Sequence, residues 1–142
     1  MFSNGQALGA LTSTGVVSEN VLDMELAASG GATILTDDQL VGCLNIVIPA
    51  LAGQTATMNI YLRSCDATDM TTSSIDLGSC FVSAAEMVAG CVKNIQVCVP
   101  LTQKYVGVFY DPVSTLVTGQ TVDAHMTFAP ITLNDAIQKV PT

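Results

Sequence analysis

Two segments of the chain alternate strictly between apolar and polar residues, and this constrains the fold more than any other sequence feature. In Thr55–Ser64 and in Thr121–Ala129 every second residue is apolar. The alternating apolar residues are Ala56, Met58, Ile60 and Leu62 in the first segment and Val122, Ala124, Met126 and Phe128 in the second. Successive side chains of a β-strand point to opposite faces of a sheet. Each segment therefore predicts a strand with one face on a core and the other toward solvent or a partner.

The chain between residues 18 and 129 is predicted to be all-β. Segments rich in Val, Ile, Leu, Thr, Tyr and Phe alternate there with short Gly, Pro, Asp and Ser clusters, as strands alternate with turns. The predicted strands are Val21–Ala27, Leu40–Ile48, Thr55–Ser64, Ile75–Ser83, Val92–Val99, Tyr105–Tyr110 and Thr121–Ala129. One short helix is predicted over Ala84–Gly90, with Ser83 as its N-cap and Gly90 as its C-terminal stop. This pattern predicts a two-sheet β-sandwich or jelly roll, with a helix-poor barrel as the alternative.

The 142 residues are enough for one domain with a sizeable core. Residues 1–17 are small and polar and have no sustained period, so they predict an N-terminal arm that is flexible or ordered by a partner. We expect the β-sandwich domain over residues 18–129. Residues 130–142 are predicted to form a C-terminal arm.

Composition and charge exclude several classes of function. Charged residues make up 11% of the chain, well below the roughly 25% of an average soluble domain, which indicates a surface that meets other protein. The net charge is −8, and the four basic residues, Arg63, Lys93, Lys104 and Lys139, are scattered. No basic stripe can neutralise phosphates, so we expect neither direct nucleic-acid binding nor binding to anionic membranes. No export signal or spanning segment is predicted, and we expect the protein to be made in a reducing cytoplasm.

The five cysteines are Cys43, Cys65, Cys80, Cys91 and Cys98. They are odd in number, lack any C-x-x-C pair and fall largely within predicted strands. A disulfide framework favours an even count, and a zinc site favours closely spaced Cys and His ligands. We therefore predict free thiols in the core, with no metal or cofactor.

The sequence contains no recognised catalytic motif, which predicts a protein that is not an enzyme. His125 is the only histidine and lies on the polar face of the last predicted strand, without a nucleophile motif near it in sequence. We interpret it as a surface or interface residue. The loop acids Asp66, Asp69 and Asp76 lack the regular spacing of a calcium loop and are predicted to be solvated.

The segment PLTQKYVGVFYDP, residues 100–112, concentrates aromatic residues in one strand. Tyr105 and Phe109 fall on one of its faces, and the sequence leaves open whether that face is core or contact surface. The residues predicted as a possible interface are Tyr61, Arg63, Tyr105, Phe109 and His125.

The order of these segments is similar to that of a known family. The segments that carry the resemblance are SENVLDMEL (18–26), LVGCLNIVIPAL (40–51), TATMNIYLRSCDA (55–67), IDLGS (75–79), AAEMVAG (84–90), VKNIQVCVP (92–100) and KYVGVFYD (104–111). Together they resemble the small jelly-roll decoration, or cement, proteins on the capsids of short-tailed double-stranded DNA phages.

The resemblance implies a structural virion protein without catalytic residues. Such proteins bind the outside of an icosahedral shell where capsomers meet and lock the expanded lattice against the pressure of the DNA. The implied partners are the major capsid protein and further copies of the chain itself, and we expect a dimer rather than a trimer. The implied location is the capsid exterior of the virion, after assembly in the host cytoplasm.

Two alternatives belong to other functional classes. One is a receptor- or carbohydrate-binding β-sandwich module of a phage fibre or adhesin. Sugar sites commonly stack rings on exposed aromatic side chains, and this chain has no Trp. The other is a jelly-roll enzyme such as a cupin, which needs a cluster of histidines around a metal, whereas the chain has one histidine.

Overall fold

The computed structural model describes residues 1–8, 15–23, 39–100 and 103–127, and this part of the chain is all-β with one short helix. Its strands are β1 Ser3–Ala7, β2 Val16–Val17, β3 Leu22–Asp23, β4 Gln39–Ile48, β5 Met58–Cys65, β6 Ile75–Val82, β7 Cys91–Pro100, β8 Tyr105–Pro112 and β9 Thr121–Thr127. The helix is α1, Ala84–Ala89. The predicted fold class is confirmed.

The strands form two antiparallel sheets. The first has the order β1-β9-β4-β7, and the second has the order β2-β8-β5-β6, with β3 pairing beside β2 on the same edge of β8. The pairs are nested: β1 with β9, β2 and β3 with β8, β4 with β7, and β5 with β6. The chain is thus one long antiparallel hairpin with its tip between β5 and β6, rolled into two sheets. This is the topology of a jelly roll.

The core lies between the sheets and follows the alternation in the sequence. The fully buried side chains of the central strands include Leu44 and Ile46 of β4, Ile60 and Leu62 of β5, Val108 and Tyr110 of β8, and Val122 and Ala124 of β9. Each large aliphatic side chain buried in this way contributes about 1.5–3 kcal/mol. Strand β4 alternates poorly in sequence because Cys43 and Asn45, on its outer face, are buried as well.

The prediction of an N-terminal arm is wrong for the described residues of segment 1–17. Strand β1 pairs with β9, β2 pairs with β8, and the side chains of Phe2 and Leu8 are 2% and 1% exposed. The register of β1 shifts between Ser3 and Gln6, where Gly5 has a φ of 61°. This bulge in a short edge strand breaks the two-residue period, so alternation does not predict a strand there.

Some predicted elements lie partly or wholly outside the described residues. The predicted strand Val21–Ala27 is described only as β3, and residues 128 and 129 of the last predicted strand are not described. The predicted C-terminal arm, residues 130–142, lies wholly outside them.

Helix α1 connects β6 of the second sheet to β7 of the first. Ser83 and Glu86 form a capping box: Ser83 Oγ accepts from the Glu86 backbone N–H at 3.3 Å, and the Ser83 N–H donates to Glu86 Oε2 at 2.9 Å. Gly90 ends the helix with a φ of 80°, which confirms both predicted ends. No helix in the described ranges is long and apolar enough to span a membrane.

Candidate functional site

Four of the predicted interface residues come together on the outer face of the second sheet. Tyr61 on β5 pairs with Phe109 on β8, Arg63 pairs with Gly107, and Tyr105 lies at the end of the same strand pair. The Arg63 guanidinium carbon is 4.5 Å from the centroid of the Tyr61 ring and 4.4 Å from that of Phe109. Both distances are within cation–π range. Arg63 therefore occupies the centre of an aromatic cluster.

Arg63 also makes polar contacts on two sides of this cluster. Its Nε donates to Asp76 Oδ1 on β6 at 2.7 Å, and its Nη1 donates to the Met70 carbonyl at 3.1 Å. The Arg63 side chain is 16% exposed. A planar guanidinium can stack on rings and donate in its plane at the same time, which the ammonium of a lysine cannot do. Arg63 thus links β5, β6 and the loop between them.

The loop between β5 and β6, residues 66–74, covers part of the outer face. Met70 is fully buried, and a methyl group added at Gly107 would lie 3.1 Å from Met70 Sδ. On the other side, the Phe109 ring packs against Gly15 so closely that a side chain at residue 15 would overlap it. Met70, Phe109 and Cys65 form a second, smaller core outside the sheet. Because Phe109 is only 9% exposed, it contributes to this core more than to any contact surface.

The covering loop is held in place by its own polar groups. Asp69 Oδ1 accepts from the backbone N–H groups of Thr71 at 3.0 Å and Thr72 at 3.2 Å, and Oδ2 accepts from Thr72 Oγ1 at 3.0 Å. These hydrogen bonds lower the pKa of Asp69 to about 2. Gln103 Nε2 donates to the Ser73 carbonyl at 2.5 Å and ties the loop to the segment before β8. Asp69 and Asp76 are thus engaged in structural contacts.

The fifth predicted residue, His125, lies on the other sheet. It is half-buried on β9, directly opposite Asn45 of β4. Asn45 is fully buried, and its Nδ2 donates to the Cys43 carbonyl at 3.2 Å and to Thr127 Oγ1 at 2.5 Å. His125 therefore belongs to a polar row on the outer face of the first sheet, away from Arg63.

A buried polar network at the junction of the two sheets was not predicted. The Ser3 Oγ and Tyr110 hydroxyl are 2.8 Å apart, and Ser3 Oγ donates to Gln6 Oε1 at 2.7 Å. Gln6 Nε2 donates to the Val17 carbonyl at 2.9 Å, and the Glu19 N–H donates to Gln6 Oε1 at 3.0 Å. Burial raises the pKa of Tyr110. Ser and Gln carry no sequence signal for such a role, so the network became visible only in the fold.

Four cysteines, Cys43, Cys65, Cys80 and Cys91, are free thiols. Burial raises the pKa of Cys43 and Cys91, and raises that of Cys80 to about 11. A raised pKa keeps the Cys43, Cys80 and Cys91 thiols protonated at neutral pH, and a protonated thiol is a poor nucleophile. The described residues contain no group of three or more His, Cys, Asp or Glu side chains placed to hold a metal ion. The side chain of Cys98 lies outside the described part.

No protein-family model matches the chain, and no curated protein is significantly similar to it in sequence.

Proposed function

We propose that the chain is a structural, non-enzymatic decoration (cement) protein that binds the outer surface of an icosahedral phage capsid and stabilises the shell. The observation that supports this most directly is the nested jelly-roll topology, in combination with the sequence resemblance to such proteins. Jelly rolls occur in viral capsid proteins, lectins and cupins, so the fold alone does not choose among them. The side chains give further support for the proposal.

Several of the ionisable side chains that the structure describes are held in contacts within the fold. Arg63 and Asp76 pair with each other, Lys93 pairs with Glu86, and Asp69 holds its own loop. General acid–base catalysis needs groups held within reach of a substrate, and these groups are instead held by one another. The arrangement supports a rigid binding module.

A cement protein stabilises a shell by mass action. Because it binds the assembled lattice and not the separated subunits, each bound copy favours the assembled state. This role requires extended contact area and polar complementarity, which a low-charge β-sandwich provides. The net charge of −8 fits a shell surface with basic patches.

The test is binding to expanded phage shells that lack the protein. Purified protein added to such shells should bind in a saturable and stoichiometric manner and raise the temperature at which the shells disrupt. An unrelated acidic protein of similar size and charge is the control, and it should do neither. Binding should weaken as salt is added, since acidic surface groups contribute to it.

Absence of binding to expanded shells would refute the proposal. If the protein does not stabilise the shells but gives a clear signal on a glycan array, it is instead a carbohydrate-binding module. Stoichiometric iron, manganese or zinc in the purified protein would favour a jelly-roll enzyme instead.

A further inference from the structure

Strand β6 forms an open edge of the second sheet. It pairs with β5 over its whole length, Ile75–Val82, and in the part of the chain that the structure describes no strand pairs with its other side. An edge strand presents a row of main-chain donors and acceptors to any strand that approaches. Such edges require protection unless they serve as a contact.

The other three edges of the two sheets, as formed by the described strands, carry recognisable protection. Strand β1 is short and has a bulge at Gly5. The β2–β3 edge is interrupted at Ser18, whose hydroxyl accepts from the Val108 N–H. On β7, Lys93 pairs in register with the buried residue Ile46, so it is an inward-pointing charge on an edge strand. Bulges, short strands and inward-pointing charges each discourage edge-to-edge pairing.

Strand β6 lacks these features over most of its length. Residues 77–82, LGSCFV, contain no charge and no proline. The Phe81 side chain is 52% exposed, the most exposed aromatic residue that the structure describes, and Ser79 beside it on the same face is exposed too. Only the start of the strand has a charge, Asp76, and a register shift opposite Leu62 and Arg63.

The charges around this edge indicate which partner it suits. Asp76 on β6 pairs with Arg63 on β5, and Glu86 on α1 pairs with Lys93 on β7, so these two acids are already neutralised within the chain. Two copies of a chain with a net charge of −8 repel one another, and they repel least where local charge is balanced. On β6 itself the one acid, Asp76, is already paired, so the strand offers a basic partner no unpaired carboxylate. The neutral, apolar β6 edge therefore fits a second copy of the chain.

We propose that two copies associate by antiparallel pairing of β6 with β6 across a two-fold axis. Such pairing joins the second sheet of one copy to the second sheet of the other copy, so that they form one continuous sheet. It also brings the Phe81 side chains of the two copies toward each other on one face of that sheet. An isologous contact uses the same edge on both copies and closes at two, so it gives a dimer and not a fibre. The inference rests on the homo-oligomer expected for the proposed function and names the surface that forms it.

Solution mass tests the proposal. As its concentration rises into the micromolar range, the wild-type protein should approach twice the monomer mass by light scattering or sedimentation equilibrium. Ser79→Lys and Phe81→Lys place a charge on the edge and should weaken association at least about tenfold, which corresponds to about 1.4 kcal/mol. Gln96→Lys adds the same charge at an exposed position on β7 and should dimerise like the wild type. A monomeric wild type, or equal loss in Gln96→Lys, would overturn the proposal.

Hydrogen exchange on the wild-type protein tests the same surface without any substitution. The amides of Ser79–Phe81 that face away from β5 should become protected as the concentration rises through the dimerisation range. Concentration-independent exchange along β6 would contradict the pairing. This result can be separated from that of the shell-binding experiment. A monomer that saturates shells refutes the β6 contact but not the capsid role. A β6 dimer that does not bind shells refutes the capsid role but not the β6 contact.

Discussion

The Met70 side chain packs directly on the backbone of Gly107, so a methyl group at residue 107 would lie 3.1 Å from Met70 Sδ. This contact joins the β5–β6 loop to the centre of β8. The absence of a side chain at residue 107 makes room for Met70, and Met70 in turn shields the outer face of the sheet from water. The second core thus depends on a large loop residue, Met70, that packs where the strand has a glycine, Gly107.

Met70→Ala should destabilise the protein by about 2–4 kcal/mol, because it removes a fully buried side chain and leaves the outer face of β8 uncovered. Val113→Ala is the control, since Val113 is 61% exposed, and it should change the free energy of unfolding by less than about 0.5 kcal/mol. Urea unfolding of both variants measures the difference. Equal stability of the two would show that the loop does not pack on the sheet in solution.

Arg63→Lys should destabilise the protein by about 1–2 kcal/mol although the charge is kept. Lysine cannot stack on the Tyr61 and Phe109 rings while donating to both Asp76 and the Met70 carbonyl. The reverse exchange, Lys104→Arg, is the control, because the Lys104 ammonium lies over the Tyr105 ring, 5.0 Å from its centroid, and an arginine keeps both the charge and the ability to stack there. We expect its free energy of unfolding to stay within about 0.5 kcal/mol of the wild type. If Arg63→Lys also leaves the free energy of unfolding within about 0.5 kcal/mol of the wild type, the contacts of the Arg63 guanidinium contribute nothing measurable to stability.

The sequence predicted the central strands well because a strand buried on one face has a two-residue period. Residues alternate in β5 and β9 because one face of each sheet is on the core and the other face is outside. The ends of α1 were predicted from its capping residues. The period disappears where a strand is buried on both faces, as at Cys43 and Asn45 of β4, or where a bulge interrupts it, as at Gly5 of β1. For that reason the N-terminal residues were mistaken for an arm.

The candidate site was predictable only in part, for a related reason. Alternation placed Tyr61 and Arg63 on one face of β5, and Tyr105 and Phe109 on one face of β8, but it could not show that the strands are neighbours. The pairing of β5 with β8 joins residues that lie 40 to 54 positions apart, from Cys65–Tyr105 to Met58–Pro112. Nor could alternation show that Met70, from a loop, covers the shared face.

The Glu86 carboxylate should stabilise the protein at neutral pH and lose this effect in acid. Its hydrogen bond from Lys93 and its place in the capping box lower its pKa from 4.5 to about 2. A lowered folded-state pKa gives stability that is complete above about pH 4.5 and disappears as pH falls toward 2. Because the side chain is 39% exposed, Glu86→Gln should cost no more than about 1 kcal/mol at pH 7.

The free energies of unfolding of the wild type and of Glu86→Gln, measured at a series of pH values, check this. The two free energies should converge near pH 2. Ser83→Ala is the matched control, since it removes the uncharged part of the same capping box. Its loss, about 1 kcal/mol, should remain at pH 2. A difference between Glu86→Gln and the wild type that does not change with pH would contradict the assigned role of the carboxylate.

Phe2→Ala tests whether the N-terminal segment belongs to the sandwich in solution. Phe2 is buried in the main core, and its backbone N–H donates to the Ala124 carbonyl at 2.8 Å. Truncation of a buried phenylalanine should cost about 3–5 kcal/mol, whereas in a flexible arm it should cost almost nothing. Leu22→Ala, at an edge position that is 42% exposed, should cost much less. Thermal unfolding of the two variants decides between an arm and an integral strand, because only a docked β1 makes residue 2 the more sensitive position.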